Sequence, residues 1–324
     1  MTAETDIATS SVSSAGLRAE TARALEAAGL DVPDVVRAVR GALDEDFRYG
    51  PDVTSAATVA GRTVAADVVA REAGVVAGLH VALAVLDLIE DYFGTGDALG
   101  AEGGPGATGS ALVADGTRVR AGDAVLRVSG HAVAVLGAER TMLNFLTHLS
   151  GIASATRTWA DAVAGTGAVI RDTRKTLPGL RLLEKYAVRC GGGENHRLGL
   201  GDAALVKDNH VAAAGGVTAA VRAVRAYASP GLVIEVECDS VDQVREALVA
   251  GARFILLDNM PVSVLLDAVA VAREYDGVRL EASGGLRLGN AREVAATGVD
   301  YLSVGGLTHS SRALDLGLDY QGAR

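Results

Sequence analysis

The chain is short of lysine. Of its 30 basic residues all but Lys175, Lys185 and Lys207 are arginine, and those three lie between residues 175 and 207. Proline is scarce as well, with six residues against 40 glycines, a balance that favours close backbone approaches over extended linkers. Only two cysteines occur, Cys190 and Cys238, without metal-ligand spacing, which reads as a reduced intracellular protein with cysteines used for packing. A broad basic surface is missing: the formal charge is −10, which argues against general nucleic-acid binding. No apolar run approaches the roughly 18 to 20 residues of a membrane span. Residues 1–20 carry acids early and no apolar stretch, so they read as a disordered tail and not as a secretory signal. A cytoplasmic location is the expectation that follows.

What is present is a chain of 324 residues, 49% apolar, enough for one large or two ordinary domains. Residues 22–47 and 79–93 have helical apolar spacing, and 63–71 alternate as a strand. Segments 117–120 and 124–128 flank Gly122-Asp123, which predicts a β-hairpin. Residues 95–110 read as a glycine-rich loop. A helix is predicted over 132–163, interrupted near Ser150-Gly151. Residues 20–130 thus suggest a mixed α+β domain.

After residue 165 short apolar strands alternate with helices. Strands are predicted at 168–174, 203–208, 232–238, 254–259, 279–285 and 301–306, with helices at 218–228, 241–250, 262–274 and 291–297. Continuous Val/Ile/Leu runs at βα spacing indicate a parallel sheet, either closed as a barrel or doubly wound. The strands end on Arg174-Lys175, Lys207, Glu235 or Glu237, Asp258, Ser283 and Gly305. In a barrel such ends converge on one mouth, where the site is built.

The residue types suggest what that mouth binds. Ser283-Gly284-Gly285 and Val304-Gly305-Gly306 end consecutive strands, and paired glycines let backbone N–H groups close around a phosphate. Arg174, Lys175, Arg181, Lys185, His196, Arg197 and Lys207 form a basic cluster suited to carboxylates and phosphates. Lys185 follows Glu184 in a helical segment and reads as a surface residue. Glu237 and Asp258 suit a divalent cation or a developing positive charge, with pairing to a lysine as the alternative. Glu235 shares the face of Glu237. The residues alone therefore indicate a phosphorylated substrate with a second anionic group.

The stretch 173–210, TRKTLPGLRLLEKYAVRCGGGENHRLGLGDAALVKDNH, resembles the signature region of the quinolinate phosphoribosyltransferase family. EVECDS, ILLDN, LEASGGL and DYLSVGGLTHS follow in order, and GPDVTS and ERTMLNFLTHLSGIAS match earlier segments. The likeness runs from about residue 35 to 320, with Leu177 and Glu194 as small departures, the Glu194 side chain being expected to point away from the site.

The resemblance implies an N-terminal α+β sandwich domain, 21–142 with 310–324 returning to it, joined to an incomplete parallel α/β barrel, 143–309. It implies conversion of quinolinate and phosphoribosyl pyrophosphate to nicotinate mononucleotide, pyrophosphate and carbon dioxide, with Mg²⁺, by a homodimer. By motif, Arg140, Arg174, Lys175, His196, Arg197 and Lys207 would line the quinolinate pocket, with Arg140 lent across the dimer and Thr173 positioning groups. Lys175, Glu237 and Asp258 would be catalytic, the two acids facing ribose and metal. Ser283, Gly284, Gly285, Val304, Gly305 and Gly306 would hold the 5-phosphate. An enzyme for an aromatic monoacid would not need all these cations, and a catalytically silent relative would be expected to lack one.

Overall fold

The structure, a computed structural model, describes residues 16–93 and 106–321. It divides into two compact units, Met1–Ser154 with Leu182–Cys190 and Arg312–Arg324, and Ala155–Arg181 with Gly191–Ser311. The chain begins with helices α1 (Ala19–Ala27), α2 (Val32–Phe47) and α3 (Val53–Thr58). Next come β1 (Thr63–Ala70), β2 (Gly74–Val75), α4 (Leu79–Leu88) and a 3-10 turn at Ile89–Tyr92. Strands β3 (Ala107–Ala111), β4 (Arg118–Val119) and β5 (Ala124–His131) lead into α5 (Ala132–Val163). They are followed by β6 (Val169–Arg171), α6 (Arg181–Cys190), β7 (Ala204–Val206), α7 (Asp208–Ala214) and α8 (Val217–Tyr227). Regular βα units then follow: β8 (Ile234–Cys238), α9 (Val241–Val249), β9 (Phe254–Asp258), α10 (Val262–Ala272), β10 (Arg279–Ser283) and α11 (Leu288–Ala295). The last elements are β11 (Tyr301–Ser303), α12 (Gly306–His309) and β12 (Leu316–Tyr320).

The first unit holds an antiparallel sheet in the order β12-β1-β5-β3. The helix expected over 22–47 is two helices. Gly29 takes a left-handed φ of 70° after α1, and Asp31 caps α2 by accepting the Asp34 N–H at 2.8 Å, with Pro33 in the first turn. Val35, Val39 and Leu43 then bury one stripe of α2. Residues 1–15 of the expected tail lie outside the described residues. Leu17, by contrast, is fully buried and Arg18 pairs with Asp87 at 2.9 Å, so the fold begins before residue 21.

Three other local expectations are corrected. Segments 117–120 and 124–128 do not form a hairpin. A tight turn is present, with Asp123 accepting the Arg120 N–H at 2.8 Å, but β4 pairs with β2 while both edges of β5 are taken by β1 and β3. Helix α5 runs through Ser150-Gly151 without a break. Ser150 Oγ instead accepts the Ala77 N–H at 3.0 Å, and a Cβ at Gly151 would lie 2.9 Å from the Ala313 Cα, so this small pair serves close packing. The glycine-rich stretch lies outside the described residues up to residue 105, but its end forms β3.

The second unit contains six strands in the order β6-β11-β10-β9-β8-β7, and every adjacent pair is parallel. Consecutive strands β7 to β11 are neighbours, and β6 joins beside β11. The sheet therefore has barrel connectivity opened at one seam, since β6 and β7 do not pair among the described residues. This is the incomplete α/β barrel. Its strands are short and apolar, as in the buried run Ile255-Leu256-Leu257, because helices cover the outer side.

Candidate active site

Parallel register aligns the strand ends. Ser283 of β10 pairs with Asp258 of β9, and Glu237 of β8 pairs with Leu256, two residues before Asp258 on the same face. A pocket of about 450 Å³ opens there. Thr173, Arg174, Lys175, His196, Arg197, Lys207, Glu237, Asp258 and Ser283 all line it, so nine of the expected residues meet in one place. Lys175 and Lys207 are exposed, whereas Arg174, Arg197, Glu237 and Asp258 are half-buried.

Local structure explains how each group is held. The Lys175 N–H donates to Thr173 Oγ1 at 3.0 Å, and Thr308 Oγ1 donates to the Lys175 carbonyl at 2.7 Å. A Cβ at Gly305 would come within 3.0 Å of the Lys175 Cδ, so glycine lets the two loops touch. The Lys207 N–H donates to His210 Nδ1 at 3.0 Å, fixing the start of α7. Arg197 Nη1 donates to the Ala203 carbonyl at 3.1 Å. Burial lowers the Arg197 pKa, and repulsion from Arg174 lowers it further. Asp202 and Glu235 pull it back up, and two cations sharing a partly dry wall are in the electrostatic state that an anionic ligand relieves.

The acids face the opposite problem. Burial raises the Glu237 pKa, Lys207 opposes the rise, and Asp258 adds to it. Two carboxylates in mutual repulsion, offering only oxygen donors, fit a hard divalent cation such as Mg²⁺.

Beneath these lies a layer that sequence reasoning largely missed. Glu281 and Ser303 also line the pocket. Arg171 pairs with Glu281 at 2.6 Å, and its guanidinium carbon sits 4.3 Å from the Tyr301 ring centroid and 5.6 Å from that of Phe254. Ser303 Oγ donates to Glu281. The Glu281 carboxyl is pushed up by burial and by Glu235, against the pull of His196, Arg171 and Ser303. The signal available was the two-residue spacing of Glu281 and Ser283 on one strand face, the same spacing that singled out Glu235.

His196, Glu235 and Glu281 also bring ligand-type atoms within 4.8 Å of one another. Their hydrogen bonds give the trio another use. His196 Nδ1 accepts the Arg197 N–H at 2.8 Å, so the ring proton sits on Nε2, which faces Glu235 at 2.8 Å. That nitrogen is a donor in a network, not a metal ligand.

The remaining expected residues lie elsewhere. Gly284 and Gly285 line a neighbouring cavity of about 270 Å³ with Ser283, and Val304 is buried just before Gly305 and Gly306. Arg140 belongs to the first unit, where it is exposed on α5. Arg181 does not line the pocket but donates to Thr176 Oγ1 and the Leu198 carbonyl, both at 3.1 Å. Lys185 is corrected outright: it is fully buried on α6 beside buried Glu184, not on a surface. Glu194 is exposed and outside the pocket lining. Cys190 and Cys238 carry thiols raised by burial to about 11 and about 12, which keeps them out of nucleophilic chemistry.

The model of the quinolinate phosphoribosyl transferase C-terminal domain matches residues 152–319, and that of the N-terminal domain matches residues 52–150. The chain is 55% identical over 285 residues to a nicotinate-nucleotide pyrophosphorylase [carboxylating] of Mycobacterium leprae, covering 87% of this chain and 95% of that one. It is 40% identical over 251 residues to a probable nicotinate-nucleotide pyrophosphorylase [carboxylating] of Synechocystis, covering 77% and 80% of the two chains. Its fold is similar to the solved nicotinate-nucleotide pyrophosphorylase of Francisella tularensis, with TM-score 0.81, 35% identity, and coverage of 89% and 96%.

Proposed function

The chain belongs to the quinolinate phosphoribosyltransferase family, and from that premise we infer how its strand-end pocket turns quinolinate and phosphoribosyl pyrophosphate into nicotinate mononucleotide, pyrophosphate and carbon dioxide. The activity is that of a pentosyltransferase in NAD biosynthesis. One observation carries the assignment of the site: four cations, Arg174, Lys175, Arg197 and Lys207, and two acids, Glu237 and Asp258, line a single pocket of about 450 Å³.

The division of labour follows from charge. Quinolinate has two adjacent carboxylates, and the cations offset their repulsion and their loss of water. His196 is close to these groups and holds the Arg197 backbone, while Lys175 is positioned by Thr173. As the bond from ribose C1 to pyrophosphate lengthens, C1 gains positive charge, which Glu237 and Asp258 stabilise electrostatically. Glu237 and Asp258 would also hold Mg²⁺, directly or through water or substrate; when bound, it neutralises the pyrophosphate leaving group. The ring nitrogen attacks C1 and becomes cationic. That charge accepts the electron pair left at ring C2 when the 2-carboxylate departs as carbon dioxide, and C2 then takes a proton. Ser283, Gly284, Gly285, Val304, Gly305 and Gly306 form the cradle for the 5-phosphate, their glycines leaving backbone N–H groups accessible.

The finer reading is a homodimer in which Arg140 of one protomer completes the quinolinate pocket of the other. Its support is the exposure of Arg140 together with a substrate that needs more positive charge than a monoacid would. A cytoplasmic location belongs to the same reading, in keeping with two free cysteines and with no helix among the described residues long and apolar enough to cross a membrane.

The test is an assay with purified protein, Mg²⁺ and phosphoribosyl pyrophosphate, following nucleotide and carbon dioxide from quinolinate or nicotinate. Product from quinolinate only, lost on chelation of Mg²⁺, is expected. Product from nicotinate alone would overturn the substrate assignment.

A further inference from the structure

We propose that Asn259 is a positioning residue for the Gly284-Gly285 loop and, through it, for the 5-phosphate of phosphoribosyl pyrophosphate. The proposal rests on the assignment of that loop to the phosphate cradle. Among the described residues Asn259 alone combines a side chain with positive φ, at 54°. Asparagine tolerates this left-handed region better than most residues, yet glycine would adopt it more easily. The retained side chain therefore calls for a reason, and the neighbouring loop supplies one.

Asn259 follows Asp258 and extends the ladder between β9 and β10 by one bond. Its N–H donates to the Ser283 carbonyl at 2.7 Å, just beyond the paired Asp258 and Ser283. The loop then folds over it. A Cβ at Gly284, where φ is +81°, would lie 2.9 Å from the Asn259 nitrogen and 3.0 Å from its Cα. A Cβ at Gly285, where φ is +61°, would lie 3.2 Å from the Asn259 Oδ1. The backbone of Asn259 thus shapes Gly284 and its amide walls Gly285. Asn290 Oδ1 accepts the Arg287 N–H at 2.8 Å, closing the far end of the same loop.

This placement links two parts of one substrate. Asp258 faces the ribose end and Ser283 begins the phosphate cradle, and Asn259 is bonded to the first and hydrogen-bonded to the second. It therefore sets the interval that phosphoribosyl pyrophosphate must span. Quinolinate does not span it. A change at Asn259 consequently acts on one substrate and spares the other, which a general loss of stability would not do.

Three variants separate the possibilities: Asn259→Ala, Asn259→Gly and Gly306→Ala. Ribose 5-phosphate affinity is measured by calorimetry, together with KM for each substrate and Tm. Asn259→Ala is expected to weaken ribose 5-phosphate and raise KM for phosphoribosyl pyrophosphate about tenfold or more, as small misplacements do, with KM for quinolinate within about twofold. Asn259→Gly regains the left-handed backbone without the amide wall and should fall between Ala and the parent; it also serves if Asn259→Ala does not fold. Wild-type ribose 5-phosphate affinity in both Asn259 variants, or an equal rise in both KM values with a lower Tm, would overturn the proposal. Gly306→Ala tests the cradle itself, because its Cβ would enter open space, with nothing within 4 Å. If it weakens ribose 5-phosphate while the Asn259 variants do not, the cradle stands and the role of Asn259 falls. If none of the three variants weakens it, the cradle reading falls as well.

Discussion

Arg171 and Glu281 form a 2.6 Å ion pair beneath the pocket, with side-chain exposures of 15% and 0%. The pair joins β6 to β10, two strands separated in the sheet by β11. Removing only the acid leaves a mostly buried guanidinium against the Tyr301 and Phe254 rings without its carboxylate. Glu281→Ala is therefore expected to cost about 3–5 kcal/mol in denaturant unfolding, as for other broken buried pairs. Replacing both residues by methionine should recover most of that loss. A near-neutral single variant would show that the charge is screened by water.

The three lysines should separate by what they change. Lys175→Ala and Lys207→Ala should lower activity with little effect on Tm, since both residues are exposed at the pocket. Lys185→Ala truncates a fully buried long side chain, so it should destabilise by about 2–5 kcal/mol while sparing both KM values. Thermal unfolding and steady-state kinetics on the same preparations decide this.

Arg197→Lys keeps the charge but loses the planar fork. Arg197 already spends one nitrogen on the Ala203 carbonyl at 3.1 Å, so a lysine cannot hold that anchor and still offer the remaining donors to a carboxylate. KM for quinolinate should rise by about 10- to 100-fold, the range of one charge-assisted hydrogen bond. KM for phosphoribosyl pyrophosphate should change little.

The proposed sharing of Arg140 between protomers makes a stoichiometric prediction. Lys175→Ala and Arg140→Ala protomers, each inactive alone, should regain about a quarter of full activity after subunit exchange, because half the dimers are mixed and each carries one intact site. No recovery despite demonstrated exchange would assign Arg140 another role.

Asp52 predicts a pH dependence. Burial works upward on its carboxyl, but hydrogen bonds from the Ser55 hydroxyl and the Ser55 and Thr54 N–H groups hold its pKa below the ordinary value. A depressed folded value contributes stability above the unfolded pKa, and that contribution is lost as pH falls through the folded one. Asp52→Ala should cost about 1 kcal/mol at neutral pH, as caps of α-helices do, and the gap to the parent should close below about pH 4. Urea unfolding across pH measures it.

Much of this was legible in the order of residues. The six parallel strands announced themselves as short apolar runs at βα spacing, and their expected ends named six members of the pocket, Arg174, Lys175, Lys207, Glu237, Asp258 and Ser283, because side-chain periodicity and strand ends are local properties. The clustering of the three lysines between residues 175 and 207, two of which line the pocket, was visible for the same reason. Non-local partners were not. Ser150-Gly151 has the composition of a helix break, yet it is a contact point, because Ala77 and Ala313 arrive there from distant parts of the chain. The turn at Gly122-Asp123 looks like a hairpin, but β1 and β3 had already taken the edges of β5. Lys185 reads as solvated beside Glu184, and only packing shows that both are enclosed. The sequence by itself determined which groups stand at the expected strand ends and what charge they carry, since charge and period belong to the chain. Tertiary structure alone decided which of them are buried against one another, and it assembled the Arg171–Glu281 layer below the pocket, because burial and pairing depend on residues that the fold brings together across more than a hundred positions.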